Sequence, residues 1–349
     1  MRRAATAARR GGVTAASRRT APGRRTLLAG TAALTALAAL AVLSSCGLTS
    51  GSPLVDNVQP GTLGRGKPLK GASLTVTSKN FSENIILGEM IGLVFKAAGA
   101  SVLDRTNITG SIGAREAVKS GQADAMYEYT GTAWITYLGH TTPIKNPHAQ
   151  WQAVHDEDLK NGLTWLPPST LDNTYSLAIS AKNEAKYHLR TLSEVAALAR
   201  KDPKAVTLCV ENEFASRQDG LVGMEKAYGM NLPSGNIQKM DAGIIYTQIN
   251  KSNSCLLGEV YTTDGRIRSM NLTVMKDDRN FFPNYNAAPV IYSKAFRKHP
   301  VIAKLLDPVS AKLDTAVAQQ LNAKVDVDGQ DPHDVAKDWL VKEGFIKEG

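Results

Sequence analysis

Strand and helix patterns alternate along most of this chain, and the alternation limits the folds that it can adopt. A β-branched segment at Ser73–Thr77 predicts a strand, and an apolar stripe with helical spacing follows over Phe81–Ala98 until Gly99 ends it. Similar pairs recur as far as a last helical pattern at Pro332–Glu343. Such alternation predicts an α/β fold with central, mostly parallel sheets.

The positive charge of the chain is confined to its beginning. Residues 1–45 carry eight arginines and no acidic residue, and without them the net charge of +9 falls to about +1. The basic composition therefore does not indicate nucleic-acid binding, and we expect no nucleic-acid partner. A charge asymmetry of this kind is typical of a targeting segment.

The first 45 residues have the pattern of a bacterial export signal. The apolar run Leu27–Leu43 is short for a membrane span, which needs about 20 residues, and it fits the apolar region of a signal peptide. Arg24-Arg25 before this run also resembles a twin-arginine export motif, so the export route stays open between the general and the twin-arginine pathways.

The apolar run ends in Leu43-Ser44-Ser45-Cys46, which resembles a lipobox. We expect cleavage before Cys46, a lipid on its thiol and an extracytoplasmic protein anchored to the cell membrane. The alternative is an ordinary cleavage site with a chance cysteine. Residues 46–70 are rich in Gly, Pro, Ser and Thr and predict a flexible tether.

Two further cysteines, Cys209 and Cys255, follow in the exported part of the chain. Outside the cytosol a pair of thiols favours a disulfide, and we predict one here. The alternative is two reduced cysteines that fill core space.

Several motifs in the exported part are similar to those of osmoprotectant-binding proteins, the betaine, choline and carnitine receptors of ABC importers. They appear in the order of that family at Ser78–Glu83, Glu128–Thr132, Asn173–Tyr175, Glu213–Gly220, Tyr261–Arg266 and Phe281–Val290. The resemblance covers residues 73–349. It implies a type II periplasmic-binding-protein fold, in which two α/β lobes joined by two crossing strands close on a ligand by a hinge. Lobe 1 would comprise residues 70–175 and 286–349, and lobe 2 residues 176–285.

The resemblance also implies an aromatic cage for a quaternary ammonium group, formed by Tyr129, Tyr175, Tyr261 and Tyr285. A trimethylammonium group has no N–H to donate, so aromatic faces are an effective way to hold it. The alternative for each tyrosine is a half-buried place in the core. Tyr127 is the rival of Tyr129, two residues away.

A second set of residues is implied for the carboxylate of a betaine. Arg217 and Lys79 would bind it and Thr132 would donate a hydroxyl hydrogen bond, while Glu213, four residues before Arg217, would orient the guanidinium. The alternatives are a solvated lysine and a structural ion pair. Asn173 stands where we expect an acid in some relatives, which leaves the ligand preference open. Ser111 is a further candidate for the cleft.

The sequence thus predicts an extracytoplasmic receptor for glycine betaine or a related osmolyte, which works with the permease subunits of an ABC importer. One alternative is a receptor of the same fold that prefers choline or carnitine. The other is a cell-wall enzyme or sensor built on this fold. We expect no enzyme activity, cofactor or metal site, because no catalytic pair, phosphate-binding loop or paired histidine ligands are evident.

Overall fold

The computed structural model describes residues 51–349 apart from Asn253. The predicted signal peptide and lipidation site at Cys46 lie outside the described residues. The strands, in chain order, are β1 Ser52–Pro53, β2 Val58–Pro60, β3 Ser73–Lys79, β4 Ser101–Ile108, β5 Ala125–Tyr129, β6 Leu163–Trp165, β7 Tyr175–Ser180, β8 Leu208–Val210, β9 Ile237–Lys239, β10 Leu257–Tyr261, β11 Leu272–Val274, β12 Ala287–Tyr292 and β13 Ile346–Glu348.

The helices fill the intervals between these strands. They are α1 Ser82–Ala97, α2 Ser111–Lys119, α3 Thr130–Thr132, α4 Pro147–Asp158, α5 Ala181–Tyr187, α6 Leu192–Lys201, α7 Asn212–Ser216, α8 Leu221–Tyr228, α9 Ala242–Lys251, α10 Arg266–Ser269, α11 Ser293–Lys298, α12 Val301–Lys312, α13 Thr315–Asp326 and α14 Pro332–Lys342. A π-helical turn at Ala133–Tyr137 extends α3.

The strands form two main sheets, one in each lobe, so the predicted two-lobe α/β fold is confirmed. The sheet of lobe 1 has the order β1-β4-β3-β5-β12-β6, and that of lobe 2 the order β11-β7-β10-β8-β9. The expectation of mostly parallel sheets is wrong. β7 and β12 are the strands that follow the two crossings. β7 pairs antiparallel with β10, and β12 pairs antiparallel with β5, whereas the pairs β3–β4 and β8–β9 are parallel.

The two crossing segments lie side by side. The backbone N–H of Asn173 donates to the Tyr285 carbonyl over 3.2 Å, and Asp172 pairs with Asn286 in an isolated antiparallel bridge. Gly131 packs against the second crossing, since a Cβ there would lie 2.7 Å from the Asn284 carbonyl oxygen. Any larger residue at 131 would push this crossing away from the end of β5.

The structure corrects the predicted tether over residues 51–70. Leu54, Val58 and Leu69 are buried in the core of lobe 1, and β2 pairs with β13. The turn-forming residues in this segment shape tight bends between these apolar anchors. Residues 51–70 therefore belong to lobe 1 rather than to a flexible tether.

A disulfide joins Cys209 of β8 to Cys255, just before β10, with their Cα atoms 5.6 Å apart. The cysteines lie among apolar side chains on the α9 side of the lobe 2 sheet, including Ile245 and Ile249. The bridge connects two neighbouring parallel strands whose C-terminal ends face the cleft. No helix within the described part of the chain is long and apolar enough to cross a membrane.

Candidate functional site

A cavity of about 640 Å³ lies between the lobes, where β3, β5, β8 and β10 reach their C-terminal ends. Ligands in open α/β sheets bind at this edge of the strands. We call it the cleft cavity. Its lining includes every predicted ligand contact except Arg217, namely Lys79, Tyr129, Thr132, Asn173, Tyr175, Glu213, Tyr261 and Tyr285.

Arg217 lies behind this lining and is only 6% exposed. Its guanidinium contacts Thr132 at 3.4 Å and Glu213 at 2.8 Å, both of which line the cavity. The predicted cluster is therefore brought together, with Arg217 behind two of its members. Ser111 also lines the cavity, whereas Tyr127 turns away and its hydroxyl lies 2.9 Å from the Ser310 hydroxyl.

The four predicted tyrosines belong to one aromatic cluster. The ring of Tyr175 lies 5.2 Å from the rings of Tyr261 and Tyr285. Phe81 connects them to Tyr129, because it stacks 5.4 Å from Tyr261 and 6.0 Å from Tyr129. The cluster combines rings from both lobes and from both crossings.

Carboxylates hold three of these tyrosines by their hydroxyls. Tyr129 donates to Glu83 over 2.8 Å, Tyr261 to Glu211 over 2.6 Å and Tyr285 to Asp219 over 2.8 Å. Burial is the main cause that raises the pKa of all three phenols, and the negative charges of these acids add to it, which keeps the phenols neutral donors. Each ring thus has a fixed orientation and a carboxylate behind it. Among the residues that the structure describes, none bonds to the Tyr175 hydroxyl.

Glu83 connects several parts of the site. This buried acid in the first turn of α1 accepts hydrogen bonds from Tyr129, from the Asn173 amide at 2.8 Å and from Asn322 of α13 at 3.0 Å. Burial raises its pKa although these bonds oppose the rise. Asn173 therefore serves as a donor to an acid supplied by α1, and a second acid at position 173 would repel it.

Both cations of the predicted carboxylate site are already paired. Lys79 lies 2.5 Å from Glu128 and 4.9 Å from the centre of the Tyr129 ring. Arg217 makes a two-pronged contact with Asp219, a buried acid in the same loop. Buried charges require such partners, because an isolated buried ion is very costly.

Glu213 bridges the lobes. Its Oε2 accepts the backbone N–H of Ser111 in lobe 1 over 3.1 Å, while its Oε1 accepts from Arg217. Burial alone would raise the pKa of Glu213, but Lys79, Arg217 and the Ser111 amide lower it to about 2. The carboxylate therefore stays ionised over the whole ordinary pH range.

The lobes also meet on the other side of the cleft. Asn322 donates to the Thr263 carbonyl over 2.9 Å, and Arg266 lies 3.6 Å from Asp326. Gly265 allows this approach, since a Cβ there would lie 2.6 Å from the Cα atom of Ala323. With bonds on both sides, the structure has the geometry of a closed cleft.

Another pair of acids lies in lobe 2 behind Tyr261. Burial raises the pKa of Glu259, and the neighbouring Glu211 raises it further. Glu259 accepts the Glu211 backbone amide over 2.8 Å, and Glu211 itself lines the cavity. With Lys79 paired to Glu128 and Arg217 paired to Asp219, the ionised Glu213 leaves the site with an excess of negative charge, which favours a positively charged ligand.

Sequence reasoning missed the residues that hold the tyrosines. Phe81 lies inside the first family motif, and its place directly after β3 was a usable signal. Glu83 and Asp219 also lie inside family motifs, but the sequence does not indicate the tyrosines that Glu83, Glu211 and Asp219 bind, which are 46, 50 and 66 positions away. Among the described residues, no group of three or more histidines, cysteines or acids could hold a metal ion.

Comparison with known proteins identifies the family. Residues 72–342 match the model of the substrate-binding domain of ABC-type glycine betaine transport systems. The chain belongs to this family. Its members are extracytoplasmic substrate-binding components of ABC transporters, which bind small betaine ligands and work with membrane permease subunits.

Individual relatives are similar over most of this chain. A glycine-betaine-binding protein from Pseudomonas aeruginosa is 36% identical over 79% of this chain and 90% of its own. The glycine betaine-binding protein YehZ of Escherichia coli is 30% identical over 94% of its length. A Helicobacter pylori protein named as ergothioneine transport permease and binding protein is 34% identical, and the match spans 48% of it.

Solved structures give the same result for the fold. A glycine betaine/carnitine/choline ABC transporter structure is matched over 78% of this chain and 99% of that one, with a TM-score of 0.64 and 28% identity. Apo YehZ from E. coli is matched over 79% of this chain and all of its own, with a TM-score of 0.59 and 28% identity. These matches support the two-lobe architecture of the periplasmic binding proteins.

Proposed function

We propose that the protein binds glycine betaine in the cleft cavity and delivers it to the permease of an ABC importer. One observation carries the proposal, namely the aromatic cluster of Tyr129, Tyr175, Tyr261 and Tyr285 in a cavity between two lobes. Each aromatic face attracts a cation by about 0.5–2 kcal/mol, depending on desolvation.

The carboxylates behind the rings support this choice of ligand. Glu83, Glu211 and Asp219 fix three rings through their hydroxyls, and the ionised Glu213 adds negative potential at the cavity wall. A quaternary ammonium cannot form hydrogen bonds with these acids. It gains from their charge at a distance, while a primary amine would pay for the lost hydrogen bonds to water.

Lys79 and Thr132 are the proposed contacts of the ligand carboxylate. The Lys79 ammonium has three N–H donors and one described anionic partner, Glu128, so donors remain for the cavity. The Thr132 hydroxyl accepts from Arg217, which leaves its own proton to donate. Arg217 positions Thr132 and Glu213 rather than touching the ligand. The sequence-based role of Arg217 as a direct contact is refined accordingly.

A second candidate ligand is choline, which is favoured by the pairing of both cations. Lys79 and Arg217 are neutralised by Glu128 and Asp219. The ionised Glu213 therefore leaves the cavity with an excess of negative charge. A ligand with a net positive charge would benefit more from that excess than a zwitterion would.

Calorimetric titration of the chain without residues 1–45 tests the proposal and separates the candidates. We expect glycine betaine to bind more tightly than choline, carnitine or proline. The substitution Thr132→Val removes both the hydroxyl that would donate to a ligand carboxylate and its contact with Arg217, so it should weaken betaine several-fold more than choline. Tighter binding of choline than of betaine would favour the second candidate. Absence of binding by every quaternary ammonium compound would overturn both.

The proposal includes a lipid anchor on Cys46 and removal of residues 1–45, supported by the lipobox that follows the apolar run. In cells, the wild-type protein should sediment with membranes, and the Cys46→Ala variant should appear in the soluble extracytoplasmic fraction. If the Cys46→Ala protein still sedimented fully with membranes, the anchoring proposal would be wrong.

A further inference from the structure

A second cavity, of about 410 Å³, lies beside the crossing segments. We call it the hinge cavity. Its wall comes from a lobe 1 loop, from both crossings and from a lobe 2 loop, and consists of Pro143, Ile144, Lys145, Asp172, Thr174, Tyr175, Ser176, Thr262, Val274, Met275, Asp277, Asn280, Phe282, Pro283 and Asn284. Any occupant would contact both parts of the chain that connect the lobes.

The two cavities lie on opposite faces of the crossing segments. Side chains of extended backbone alternate between two faces. Asn173 and Tyr285 line the cleft cavity, whereas their neighbours Asp172, Thr174 and Asn284 line the hinge cavity. Tyr175 lines both, so one aromatic side chain separates the two spaces.

The hinge cavity contains an acid with one unpaired oxygen. Oδ1 of Asp172 accepts the Tyr285 backbone amide over 2.7 Å, and no residue in the described part of the chain donates to its Oδ2. Burial raises the pKa of Asp172, which has no cation beside it to oppose the effect. The other acid of the wall, Asp277, is used by the Tyr228 hydroxyl and the Phe282 amide.

Aromatic and apolar surfaces surround this acid. The rings of Tyr175 and Phe282 lie 6.1 Å apart, and Met275 and Pro283 are buried beside them. The Tyr175 hydroxyl has no hydrogen-bond partner among the described residues, although the side chain is 7% exposed. The one cation of the wall, Lys145, is an exposed residue on the lobe 1 loop. An acceptor, a hydroxyl and two aromatic faces together match a small organic cation.

We propose that the hinge cavity is a second ligand site, which takes a small organic cation carrying an N–H donor. The N–H group would bond to Asp172 Oδ2 and the organic part would contact Tyr175 and Phe282. This site is chemically different from the cleft cavity, whose cage acids are already engaged by the tyrosine hydroxyls. It does not depend on the identity of the cleft ligand.

Occupancy of the hinge cavity is linked to binding in the cleft. Its wall includes Asp172, Thr174 and Tyr175 of the first crossing and residues 282–284 of the second, the segments whose backbone must rotate when the lobes open. A cation held between them therefore changes the relative free energies of the open and closed forms. By linkage, the hinge cation changes the affinity of the cleft ligand by the same factor by which the cleft ligand changes the affinity of the hinge cation.

Calorimetric titration with ethanolamine tests the site at a pH where the amine is protonated. The protein is first saturated with glycine betaine, so that the cleft is occupied, and every titration is repeated without betaine. Ethylene glycol, which has a similar size and no charge, is the neutral control. We expect ethanolamine to bind the wild-type protein in both series and ethylene glycol to show no binding.

Two substitutions assign the binding to the hinge cavity. Asp172→Asn keeps an acceptor for the Tyr285 amide and removes the charge, so ethanolamine should bind roughly tenfold more weakly. Ile144→Trp fills the space from the lobe 1 loop and should abolish binding. The exposed Asp202→Asn is the matched charge control and should behave as wild type.

The possible results separate clearly. No heat from ethanolamine with wild-type protein in either series would overturn the proposal. Equal affinities for wild type, Asp172→Asn and Ile144→Trp would also overturn it, since binding would then lie elsewhere. Equal binding of ethylene glycol would show that the cavity does not select a cation. Melting temperatures of the variants show whether each one is folded.

Discussion

Glu213 of lobe 2 accepts the backbone N–H of Ser111 of lobe 1 at 3.1 Å, directly across the cleft. The same carboxylate holds Arg217, which in turn contacts Thr132 of lobe 1. The lobes are thus joined beside the cavity by a chain of charged hydrogen bonds. Closure and ligand binding share these residues, so changes to them should alter both.

Glu213→Ala should therefore weaken glycine betaine binding and favour the open form. Charged hydrogen bonds contribute about 1.5–3 kcal/mol each, so we expect at least roughly tenfold lower affinity. Calorimetry measures the affinity, and small-angle scattering with saturating betaine measures the radius of gyration. Glu116→Ala, which removes an exposed acid of α2, is the control. Wild-type affinity together with a wild-type radius would contradict the bridge.

The pH dependence of this contribution has a definite sign. The folded pKa of Glu213 lies at about 2, below its ordinary value of 4.5. Its stabilising effect is therefore fully present above pH 4.5 and is lost as the pH falls through about 2. Any loss of betaine affinity between pH 7 and 5 must come from other groups, such as Glu211, whose pKa burial raises.

The neighbouring tyrosines of β5 provide a matched test of the cage. Tyr129 lines the cleft cavity, whereas Tyr127 is buried toward Ser310. Tyr129→Ala should lower betaine affinity roughly tenfold through the loss of a cation–π contact of about 1–2 kcal/mol, and Tyr129→Phe should cost less. Tyr127→Ala should lower the melting temperature and leave the affinity of the folded protein unchanged. Equal affinity losses for the two alanine variants would contradict the cage.

The sequence allowed several residues of the cavity wall to be predicted, because they lie near strand ends within short motifs. Lys79 ends β3, Tyr129 ends β5 and Tyr261 ends β10, so their positions depend on local pattern and sheet topology. The pairing of tyrosines with acids could not be predicted, since it depends on how distant segments pack. Only the three-dimensional structure brings Glu83 to Tyr129 or Asp219 to Tyr285.

The predicted tether failed for a related reason. Composition alone suggested flexibility over residues 51–70, yet a few apolar residues, such as Leu54 and Leu69, suffice to anchor the segment on lobe 1. Polar contacts add to this, since Asp56 of the same segment lies 2.8 Å from His333 of α14. The partners of Arg217 could likewise not be predicted, because Asp219 and Glu213 surround it only in the folded protein.

The refined role of Arg217 leads to a different prediction from that of a direct carboxylate contact. Arg217→Lys keeps the charge but loses the planar contact with Asp219, so Thr132 and Glu213 should both lose their support. We expect choline as well as betaine to lose affinity, because the bridge between the lobes is weakened for either ligand. Calorimetry with both ligands measures this. A loss confined to betaine would show that Arg217 binds the ligand carboxylate directly.

The last prediction concerns His333, which fixes the N-terminal segment to lobe 1. Its Nδ1 lies 2.8 Å from Glu89 and its Nε2 lies 2.8 Å from Asp56, which also contacts Lys337 at 3.2 Å. The hydrogen bond with Glu89 is the largest influence on the pKa of His333, which rises to about 9 although burial opposes the shift. A folded pKa above the ordinary value of 6.5 means that the charged form stabilises the fold. This contribution is fully present below pH 6.5 and is lost as the pH rises through 9.

The melting temperature of the wild-type protein should therefore fall between pH 6.5 and 9.5, and His333→Asn should reduce that slope while lowering stability at pH 6. His148→Asn removes an exposed histidine of α4 and should keep the wild-type slope.

Hydrogen exchange should show the same loss locally, since residues around Asp56 and Val58 lose an anchor when His333 becomes neutral. This segment follows directly on the part of the chain that leads to Cys46. When His333 is neutral, an added protease should therefore cut the chain more readily within the segment. An identical pH slope in the wild type and in His333→Asn would mean that the histidine does not hold this segment.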